Sequence, residues 1–317
     1  MTGLLFPGQG AQAVGMGKAF ADNSVNLKGA RARELYQAAD QILNIPLTRL
    51  CFEGPLDELT KTDISQPAIF VTSLAALAAL EEAGAFDRAK ATMAAGLSLG
   101  EYTALCAAGS LTFEDGLRLV RLRGQAMQAA SDAKPSSMSA VLGLDETGIE
   151  DACKEASLVG IVSIANKNAP GQIVISGELA ALEAAENACK KRGAKRCIRL
   201  NVAGAFHSEV MRPAANRLAD ALANTNILPP RVPFFSNVTG ARAGSVELIR
   251  TNLAAQVCAT VLWDASLRAA IAAGTNTFIE LAPGTSLAGM LRKIEPAAQV
   301  YKCEEPADIV KIQPANL

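Results

Sequence analysis

The 317-residue sequence has little of several residue types, and each scarcity argues against a class of protein. Thirty lysines and arginines are offset by 31 acidic residues, so the formal net charge is −1. A nucleic-acid-binding domain is expected to be basic, and we therefore predict no nucleic-acid partner. Aromatic residues make up only 4% of the chain, whereas half of all residues are hydrophobic. This composition suits a large core of packed helices and strands.

The seven cysteines include no C-x-x-C pair and are odd in number. This spacing argues against a zinc site and a disulfide framework, and it predicts a reducing compartment. The first residues, MTGLLFPGQG, lack the basic and long apolar segments of a secretory signal. The longest apolar stretch, 68–80, is shorter than the ~20 residues of a membrane helix. We therefore expect a protein of the cytoplasm, or of an organelle stroma or matrix after loss of a targeting extension, with no metal and no membrane partner.

Short apolar strands alternate with helix-like segments in two parts of the chain, 1–130 and 203–317. This alternation favours a largely parallel α/β sheet. Residues 131–202 differ, because their segments follow the order βαββαβ, which is typical of a ferredoxin-like unit. We therefore predict a large α/β domain formed by 1–130 and 203–317, with an inserted small domain formed by 131–202. Long helices are expected at 65–84 and 112–131.

The stretch GLSLG, residues 96–100, lies between a strand-like and a helix-like segment. In this context Gly-x-Ser-x-Gly is the pattern of a nucleophile elbow, in which glycines allow a tight turn and the serine lies at a helix N-terminus. There the helix dipole and free N–H groups stabilise developing negative charge. The alternative is that Ser98 only caps the helix, and the pattern by itself favours neither interpretation.

A serine nucleophile needs a base near neutral pH, and the sequence contains a single histidine, His207. It lies in a loop-like segment, NVAGAFHSEVM, that follows a predicted strand. The alternative is a surface histidine or a core histidine with satisfied hydrogen bonds. If an imidazole activates Ser98, His207 has no competitor.

Arg123 lies on an apolar face of the predicted helix at 112–131. Its neighbours three and four residues away are all apolar: Leu119, Val120, Ala126 and Met127. Burial of a guanidinium without a partner is costly, so a carboxylate should meet it. Either an acidic residue of the protein supplies that carboxylate, or a ligand does so through a bidentate contact. In the second case the substrate is an acid.

The glycine-rich segment at 7–17, PGQGAQAVGMG, does not match a phosphate-binding loop. It lacks the Gly-Lys-Ser/Thr ending of a P-loop, and alanine stands where a dinucleotide fingerprint needs its third glycine. A loop that presents backbone N–H groups to an oxyanion fits this segment better.

Four stretches together resemble the malonyl-CoA:acyl-carrier-protein transacylases of fatty-acid synthesis, which are close kin of polyketide-synthase acyltransferase domains. They are FPGQGAQ (6–12), GLSLGEYTAL (96–105), RLVRLRGQAMQ (118–128) and AFHSEVM (205–211). Further matching segments occur in family order along nearly the whole chain. The resemblance implies an α/β-hydrolase-like core with a mostly parallel sheet and an inserted ferredoxin-like small domain.

The resemblance implies roles for the residues of the predicted elbow and its surroundings. Ser98 would be the nucleophile that accepts the acyl group, and His207 its general base and then acid. Gln9 and Leu99 would contribute the backbone N–H groups of the oxyanion hole. Gln256 would orient His207 through its backbone carbonyl, so that no catalytic aspartate is needed.

The resemblance also implies how the acyl group is selected. Arg123 would hold the free carboxylate of a malonyl group. Phe206 matches the bulky residue of malonyl-selective relatives and would crowd an α-methyl branch, and Met127 would line the same pocket. One departure stands out: the family motif has histidine before the serine, where this chain has Leu97. The mechanism does not use that histidine, so the departure bears on the shape and polarity of the pocket.

The implied activity is transfer of malonyl from malonyl-CoA to the phosphopantetheine thiol of acyl carrier protein, without a cofactor, by a protein that we expect to be a monomer. The basic run KKRGAKRCIR (190–199) is either a solvated helix end or a docking site for an acidic carrier protein. Three alternatives stay open: a trans-acting acyltransferase of polyketide synthesis, a serine hydrolase or thioesterase, and a non-catalytic scaffold. The last two are disfavoured, because neither explains the serine, the histidine and the arginine together.

Overall fold

The computed structural model describes residues 1–22 and 30–312. The strands are β1 (Thr2–Phe6), β2 (Met93–Gly96), β3 (Ser136–Leu142), β4 (Val162–Ala169), β5 (Gln172–Glu178), β6 (Arg196–Arg199), β7 (Phe234–Ser236), β8 (Ala241–Arg242), β9 (Thr277–Leu281) and β10 (Gln299–Cys303). The helices are α1 (Lys18–Ala21), α2 (Ala30–Leu43), α3 (Leu47–Glu53), α4 (Leu56–Thr60), α5 (Thr62–Glu82), α6 (Gly100–Ala107), α7 (Phe113–Ala133), α8 (Glu146–Ala156), α9 (Leu179–Lys191), α10 (Arg212–Ala223), α11 (Val246–Gln256), α12 (Trp263–Ala272), α13 (Ser286–Ile294) and α14 (Pro306–Ile309).

The larger sheet has the strand order β10-β9-β1-β2-β7-β8. All neighbouring strands are parallel except the short pair β7 and β8. Strands β1, β2 and β9 are buried along their whole length, as expected for a sheet covered on both faces. The carboxyl ends of β1 and β2 lie side by side, and the loops that follow them meet at this edge. Such an edge is the usual ligand site of an open parallel sheet.

The smaller sheet is antiparallel, with the order β4-β5-β3-β6, and it packs against α8 and α9. Its strands and helices follow one another as βαββαβ, and the first and third strands lie in the centre. The fold class predicted from the sequence is therefore confirmed: an α/β core with a mostly parallel sheet, and a separate small sheet with ferredoxin-like topology. The domain boundaries at 131 and 202 stay a prediction.

The long helices occur where the sequence predicted them, with different ends. Helix α7 begins after Thr112, whose hydroxyl accepts a hydrogen bond from the N–H of Asp115 as an N-cap. Helix α5 begins at Thr62 and continues through Pro67. A proline has no N–H for the carbonyl four residues earlier, here that of Asp63, and the guanidinium of Arg121 donates to this carbonyl instead.

Helix α5 is also the most apolar long element. By length and composition it is the one helix in 1–22 and 30–312 that could cross a membrane, but 89% of its most apolar window is buried inside the protein. Its packing partners include α7 and α2. The sequence prediction underestimated the length of this apolar segment, because the serine and glutamine at its start interrupt the run of apolar letters although both are buried.

Candidate active site

Ser98 lies on a sharp turn between β2 and α6. Its φ angle is 53°, in the left-handed region that side chains other than glycine rarely occupy. The flanking glycines allow this turn: a Cβ atom on Gly96 would lie 1.9 Å from the carbonyl carbon of Gly100, and one on Gly100 would lie 2.3 Å from the carbonyl oxygen of Phe6. The elbow predicted from GLSLG is thus present, with the Ser98 hydroxyl at the edge of the cavity described below.

His207 also has a left-handed backbone, with φ of 60°, in the loop between β6 and α10. Its Nε2 lies 2.8 Å from the Oγ of Ser98, and its Nδ1 lies 2.8 Å from the carbonyl oxygen of Gln256. A carbonyl oxygen can only accept, so Nδ1 carries the hydrogen and Nε2 presents a lone pair to the serine hydroxyl. The geometry is that of a nucleophile, a base and a group that orients the base.

The electrostatic surroundings keep His207 neutral. Burial lowers the pKa of this imidazole to about 4, and the positive charge of Arg123 adds to the shift. The hydrogen bond to the Gln256 carbonyl opposes it. At neutral pH the imidazole is therefore unprotonated and can accept a proton from Ser98.

Arg123 is buried, with 1% of its surface exposed. Its Nη1 donates to Oε1 of Gln66 at 2.8 Å, and its Nη2 donates to Oε1 of Gln256 at 2.8 Å and to Oγ of Ser98 at 2.9 Å. Nε has no hydrogen-bond partner in the part of the chain that the structure describes. The ring of Tyr102 lies 5.9 Å from the guanidinium carbon, as in a cation–π contact.

Within 1–22 and 30–312 no aspartate or glutamate forms a salt bridge with Arg123. Of the two sources of a carboxylate that the sequence left open, the direct protein partner is therefore not observed. Neutral amides and the serine hydroxyl hold the guanidinium, and burial lowers its pKa. A buried cation in this state has a strong affinity for an anion.

The loop after β1 brings Gln9 beside the elbow. A Cβ atom on Gly8 would lie 2.6 Å from the carbonyl oxygen of Leu97, so the loop and the elbow are in close contact. Neither the backbone N–H of Gln9 nor that of Leu99 donates to an acceptor within the described residues. Leu99 is the N-cap residue of α6. Both N–H groups are therefore free to receive an oxyanion at the helix N-terminus.

These side chains open into a cavity of about 560 Å³ between the two sheets. Phe206 and Met127, which are both buried, line it together with Ser98 and Leu97. The small sheet contributes further lining residues, among them Met138, Asn166, Asn168 and Val174. This volume lies within the range of small-molecule binding sites, about 300–1,000 Å³.

Three functional side chains were not predicted from the sequence. The first is Gln66 in α5, which binds Arg123. The second is Asn237, whose side-chain amide accepts from the N–H of Ser98 at 2.6 Å and donates to the carbonyl of Gly96 at 2.9 Å. Glu101 is completely buried in the first turn of α6. Burial raises the pKa of this carboxyl to about 7, and hydrogen bonds from Asn237 and Gln256 oppose the shift. A glutamine in an apolar helix and a glutamate directly after the elbow were the available signals.

Within the residues that the structure describes, no group of three or more histidine, cysteine, aspartate or glutamate residues is arranged to hold a metal ion. All seven cysteines are free thiols.

The chain matches the family model "Acyl transferase domain" over residues 4–305. It is 39% identical to the malonyl CoA-acyl carrier protein transacylase of Bacillus subtilis over 96% of this chain and 94% of the relative. Among solved structures, the acyl-carrier-protein-S-malonyltransferase of Bartonella henselae has a TM-score of 0.92 and 39% identity, with 98% of this chain and 97% of that chain covered.

A malonyl-transacylase solved in complex with its type II polyketide-synthase acyl carrier protein has a TM-score of 0.93 at 35% identity, and the match covers 99% of both chains. These similarities extend over the elbow, the histidine loop, the buried arginine and both sheets. The protein is an enzyme of the acyl transferase domain family, and it is similar to malonyl CoA-acyl carrier protein transacylases over nearly the whole length of both chains.

Proposed function

We propose that the protein transfers a malonyl group from malonyl-CoA to the phosphopantetheine thiol of an acyl carrier protein, through a malonyl ester on Ser98. The observation that carries the proposal is the 2.9 Å contact between Nη2 of Arg123 and Oγ of Ser98. A buried cation without a carboxylate partner, next to the nucleophile, selects an acyl group that has its own carboxylate. Malonyl is the short acyl group of this kind that the related transacylases transfer by name.

In the first half-reaction Nε2 of His207 takes the proton of Ser98 as Oγ attacks the thioester carbonyl. The N–H groups of Gln9 and Leu99 stabilise the oxyanion that forms. When the tetrahedral intermediate collapses, the C–S bond breaks, and the protonated His207 returns the proton to the sulfur of coenzyme A. The carbonyl of Gln256 orients the imidazole in both steps.

The malonyl group bound to Ser98 then lies in the cavity that Ser98 and Arg123 both line, with its carboxylate directed at the guanidinium. Acylation converts Oγ of Ser98 into an ester oxygen, which is a weaker acceptor, so Nη2 of Arg123 becomes available to the malonyl carboxylate. Gln66 keeps its hydrogen bond to Nη1 and maintains the orientation of the guanidinium. Phe206 and Met127 leave little room at the α-carbon.

The second half-reaction repeats these steps with a different nucleophile. The phosphopantetheine thiol of the carrier protein gives its proton to His207 and attacks the ester carbonyl. Ser98 leaves with the proton from His207, and the malonyl thioester departs with the carrier. The kinetics are therefore of the ping-pong type.

The basic run at 190–199 is suited to dock the carrier protein. The four cations Lys190, Lys191, Lys195 and Arg196 are exposed, and none forms a salt bridge within the described residues, whereas Arg192 and Arg199 pair with glutamates. The chain that follows β6 leads directly into the cavity lining at Leu200. A partner held here would thus be close to the cavity mouth. An acidic carrier protein has the complementary charge.

We further propose that the protein acts in fatty-acid synthesis as a monomer in the cytoplasm, or in an organelle stroma or matrix. The free cysteines support a reducing compartment, and one chain supplies the whole Ser98–His207–Gln256 arrangement. A role in polyketide synthesis is the second candidate, supported by the similarity to the transacylase bound to a polyketide carrier. Transfer rates to fatty-acid and polyketide carrier proteins, compared at equal concentration, distinguish the two pathways.

Intact-mass analysis after brief mixing with malonyl-CoA tests the proposal. We expect a malonyl adduct on the wild-type protein that is discharged by carrier protein and is absent in Ser98→Ala. Ser286→Ala is the matched control, because this serine lines the same cavity and its loss should leave the adduct unchanged. An adduct lost rapidly in water would instead indicate a hydrolase, and no adduct at all would indicate a scaffold.

A further inference from the structure

Glu101 is a completely buried carboxylate that no step above uses. One of its oxygens accepts from the backbone N–H of Asn237 at 2.6 Å, and the other accepts from Nε2 of Gln256. Both neighbours of the carboxylate are therefore donors. Burial of a carboxylate is costly unless every oxygen is hydrogen-bonded, and these two contacts satisfy that requirement without a cation in direct contact.

Gln256 connects this carboxylate to the reacting groups. Its Nε2 donates to Glu101 and, at 2.8 Å, to the carbonyl of Ser98, while its Oε1 accepts from Nη2 of Arg123 at 2.8 Å. An amide has donors at one end and an acceptor at the other. Because a carboxylate and a carbonyl oxygen can only accept, Glu101 and the Ser98 carbonyl together hold the NH₂ end of Gln256 toward α6, and its oxygen then faces Arg123.

Asn237 gives Glu101 a second connection to the site. The side-chain amide of Asn237 bridges Gly96 and Ser98 and so holds the elbow on both sides of Leu97. Its backbone N–H is the donor that Glu101 accepts. The carboxylate thus fixes the residue that holds the strained backbone of Ser98 as well as the residue that directs the acceptor toward Arg123.

We propose that Glu101 is a positioning residue for acyl selection: it sets the orientation of the Gln256 amide, and that amide aims the Arg123 guanidinium at the acyl carboxylate. The inference rests on the proposed malonyl transfer. It assigns a selectivity role to a side chain that touches neither the acyl group nor the nucleophile. A carboxylate that only fills space in the core would have no effect on which acyl group is chosen.

The variant Glu101→Gln keeps the shape of the side chain and changes its polarity. Its oxygen is needed by the N–H of Asn237, so its NH₂ group faces Gln256. Two NH₂ groups then face each other, so the Gln256 amide either turns over and directs its own NH₂ group at the donors of Arg123, or loses one of the two acceptors that hold its orientation. Glu101→Asp has the opposite properties, because it changes the shape but still presents only acceptors.

The test compares acyl-enzyme formation from malonyl-CoA and from acetyl-CoA at pH 8, where Glu101 is ionised, by intact-mass analysis. Acetyl has no carboxylate and does not depend on the aim of Arg123. We expect Glu101→Gln to lower the malonyl-to-acetyl ratio of acylation rates by on the order of tenfold or more, the effect of losing a hydrogen bond to a charged group. We expect Glu101→Asp to keep this ratio within about threefold although both rates fall.

A purely structural role predicts the reverse order, with Glu101→Gln nearly neutral and Glu101→Asp the more damaging change. Equal ratios in Glu101→Gln and the wild type would overturn the proposal. If Glu101→Gln does not fold, Gln256→Leu replaces it: this variant removes the same acceptor from Arg123 but keeps the backbone carbonyl that orients His207. A wild-type ratio in Gln256→Leu would also overturn the inference. Failure of malonyl transfer itself would appear separately, as a missing adduct on the wild-type protein.

Discussion

The Nε2 atom of His207 lies 2.8 Å from the Oγ atom of Ser98, and both residues have positive φ angles. Such backbone conformations cost of order 1–3 kcal/mol each and persist only where the surroundings enforce them. Here the enforcing contacts are the Asn237 amide for Ser98 and the Gln256 carbonyl for the imidazole. The two reacting groups are thus preorganised before a substrate binds.

The buried position of His207 predicts an unusual pH dependence. Because burial and Arg123 lower the pKa of the imidazole to about 4, acylation should be nearly constant between pH 5.5 and 7 and should fall only near pH 4. The measurement is the rate of acetyl-enzyme formation from acetyl-CoA, whose acyl group does not titrate. Arg123→Gln removes the neighbouring positive charge and should therefore move the acidic limb of the pH–rate profile to higher pH. A limb near pH 6.5 in the wild type would contradict the prediction.

The same shift links His207 to stability. In the unfolded chain the imidazole has a pKa of about 6.5, whereas in the folded protein it is about 4. Between these values the unfolded state binds the extra proton, so the contribution of His207 to the free energy of unfolding decreases as the pH falls from about 6.5 to 4. His207→Gln should remove this part of the dependence, as measured by urea unfolding at several pH values.

Removal of the guanidinium should separate malonyl from acetyl transfer. Arg123→Ala should lower kcat/KM for malonyl-CoA by on the order of 100-fold, because one partner of a buried charge pair is lost, with a much smaller effect on acetyl-CoA.

The Arg123→Ala variant should also raise the ratio of hydrolysis to transfer, since the acyl group is no longer held in line for the thiol. Arg118→Ala is the control, because this arginine is exposed and paired with Glu114. An unchanged hydrolysis-to-transfer ratio in Arg123→Ala would refute the second expectation.

Phe206 should limit the size of the acyl group. The variant Phe206→Leu creates room beside the α-carbon, and we expect the ratio of methylmalonyl to malonyl transfer to rise by about tenfold. Competition between the two acyl-CoA substrates measures this ratio directly. Phe113→Leu, at the start of α7 and outside the cavity lining, should leave the ratio unchanged. If Phe206→Leu behaves like this control, Phe206 does not set the selectivity.

Leu97 should matter for stability more than for chemistry. Its side chain packs against the apolar cluster that includes Leu5 and Met93, and no side-chain hydrogen bond of the Ser98 site involves it. Leu97→His should lower the free energy of unfolding by about 1 kcal/mol and leave malonyl-enzyme formation within about threefold. Leu97→Met, which keeps the volume, should change neither the free energy of unfolding nor malonyl-enzyme formation appreciably. Loss of acylation in a folded Leu97→His variant would show that the pocket depends on this leucine.

Charge reversal should test the docking surface. Glutamates in place of Lys190, Lys191 and Arg196 should raise KM for the carrier protein by tenfold or more at low salt, because complementary charge becomes repulsion, without a change in the malonyl-CoA kinetics. The control is the same reversal at three exposed cations on other elements: Lys90, Lys154 and Arg217. Equal carrier kinetics in both triple variants would exclude a role for this surface.

The sequence predicted those site residues that stand out from their neighbours by residue type or by pattern. Ser98 is framed by glycines that the elbow requires, His207 is the single histidine, and Arg123 is a cation on an apolar helix face. The parallel core and the small ferredoxin-like sheet follow from patterns of alternation that occur locally in the chain. The elbow, the histidine loop and the helix that carries Arg123 are each short, contiguous segments of the chain.

The amides of the site could not be predicted in the same way. Asn237 lies 139 residues from Ser98 along the chain, and Gln66 lies 57 residues from Arg123. A neutral amide has no pattern of its own and becomes functional only when the fold brings it to a particular donor or acceptor. The resemblance to a family supplied the carbonyl of Gln256 but not the contacts of its side chain, which depend on Glu101 in another helix.

Burial and the positive charge of Arg123 make His207 a weak base, and the partner of its Nδ1 is a neutral carbonyl, that of Gln256, and not a carboxylate. A weak base distinguishes between attacking groups by their acidity. A thiol has a pKa of about 8.5, whereas water has a pKa of about 15.7, so His207 takes a proton from the carrier thiol far more readily than from water. The acyl ester on Ser98 therefore persists in water until the carrier protein binds, because the low basicity of His207 slows hydrolysis but still suffices to deprotonate the thiol.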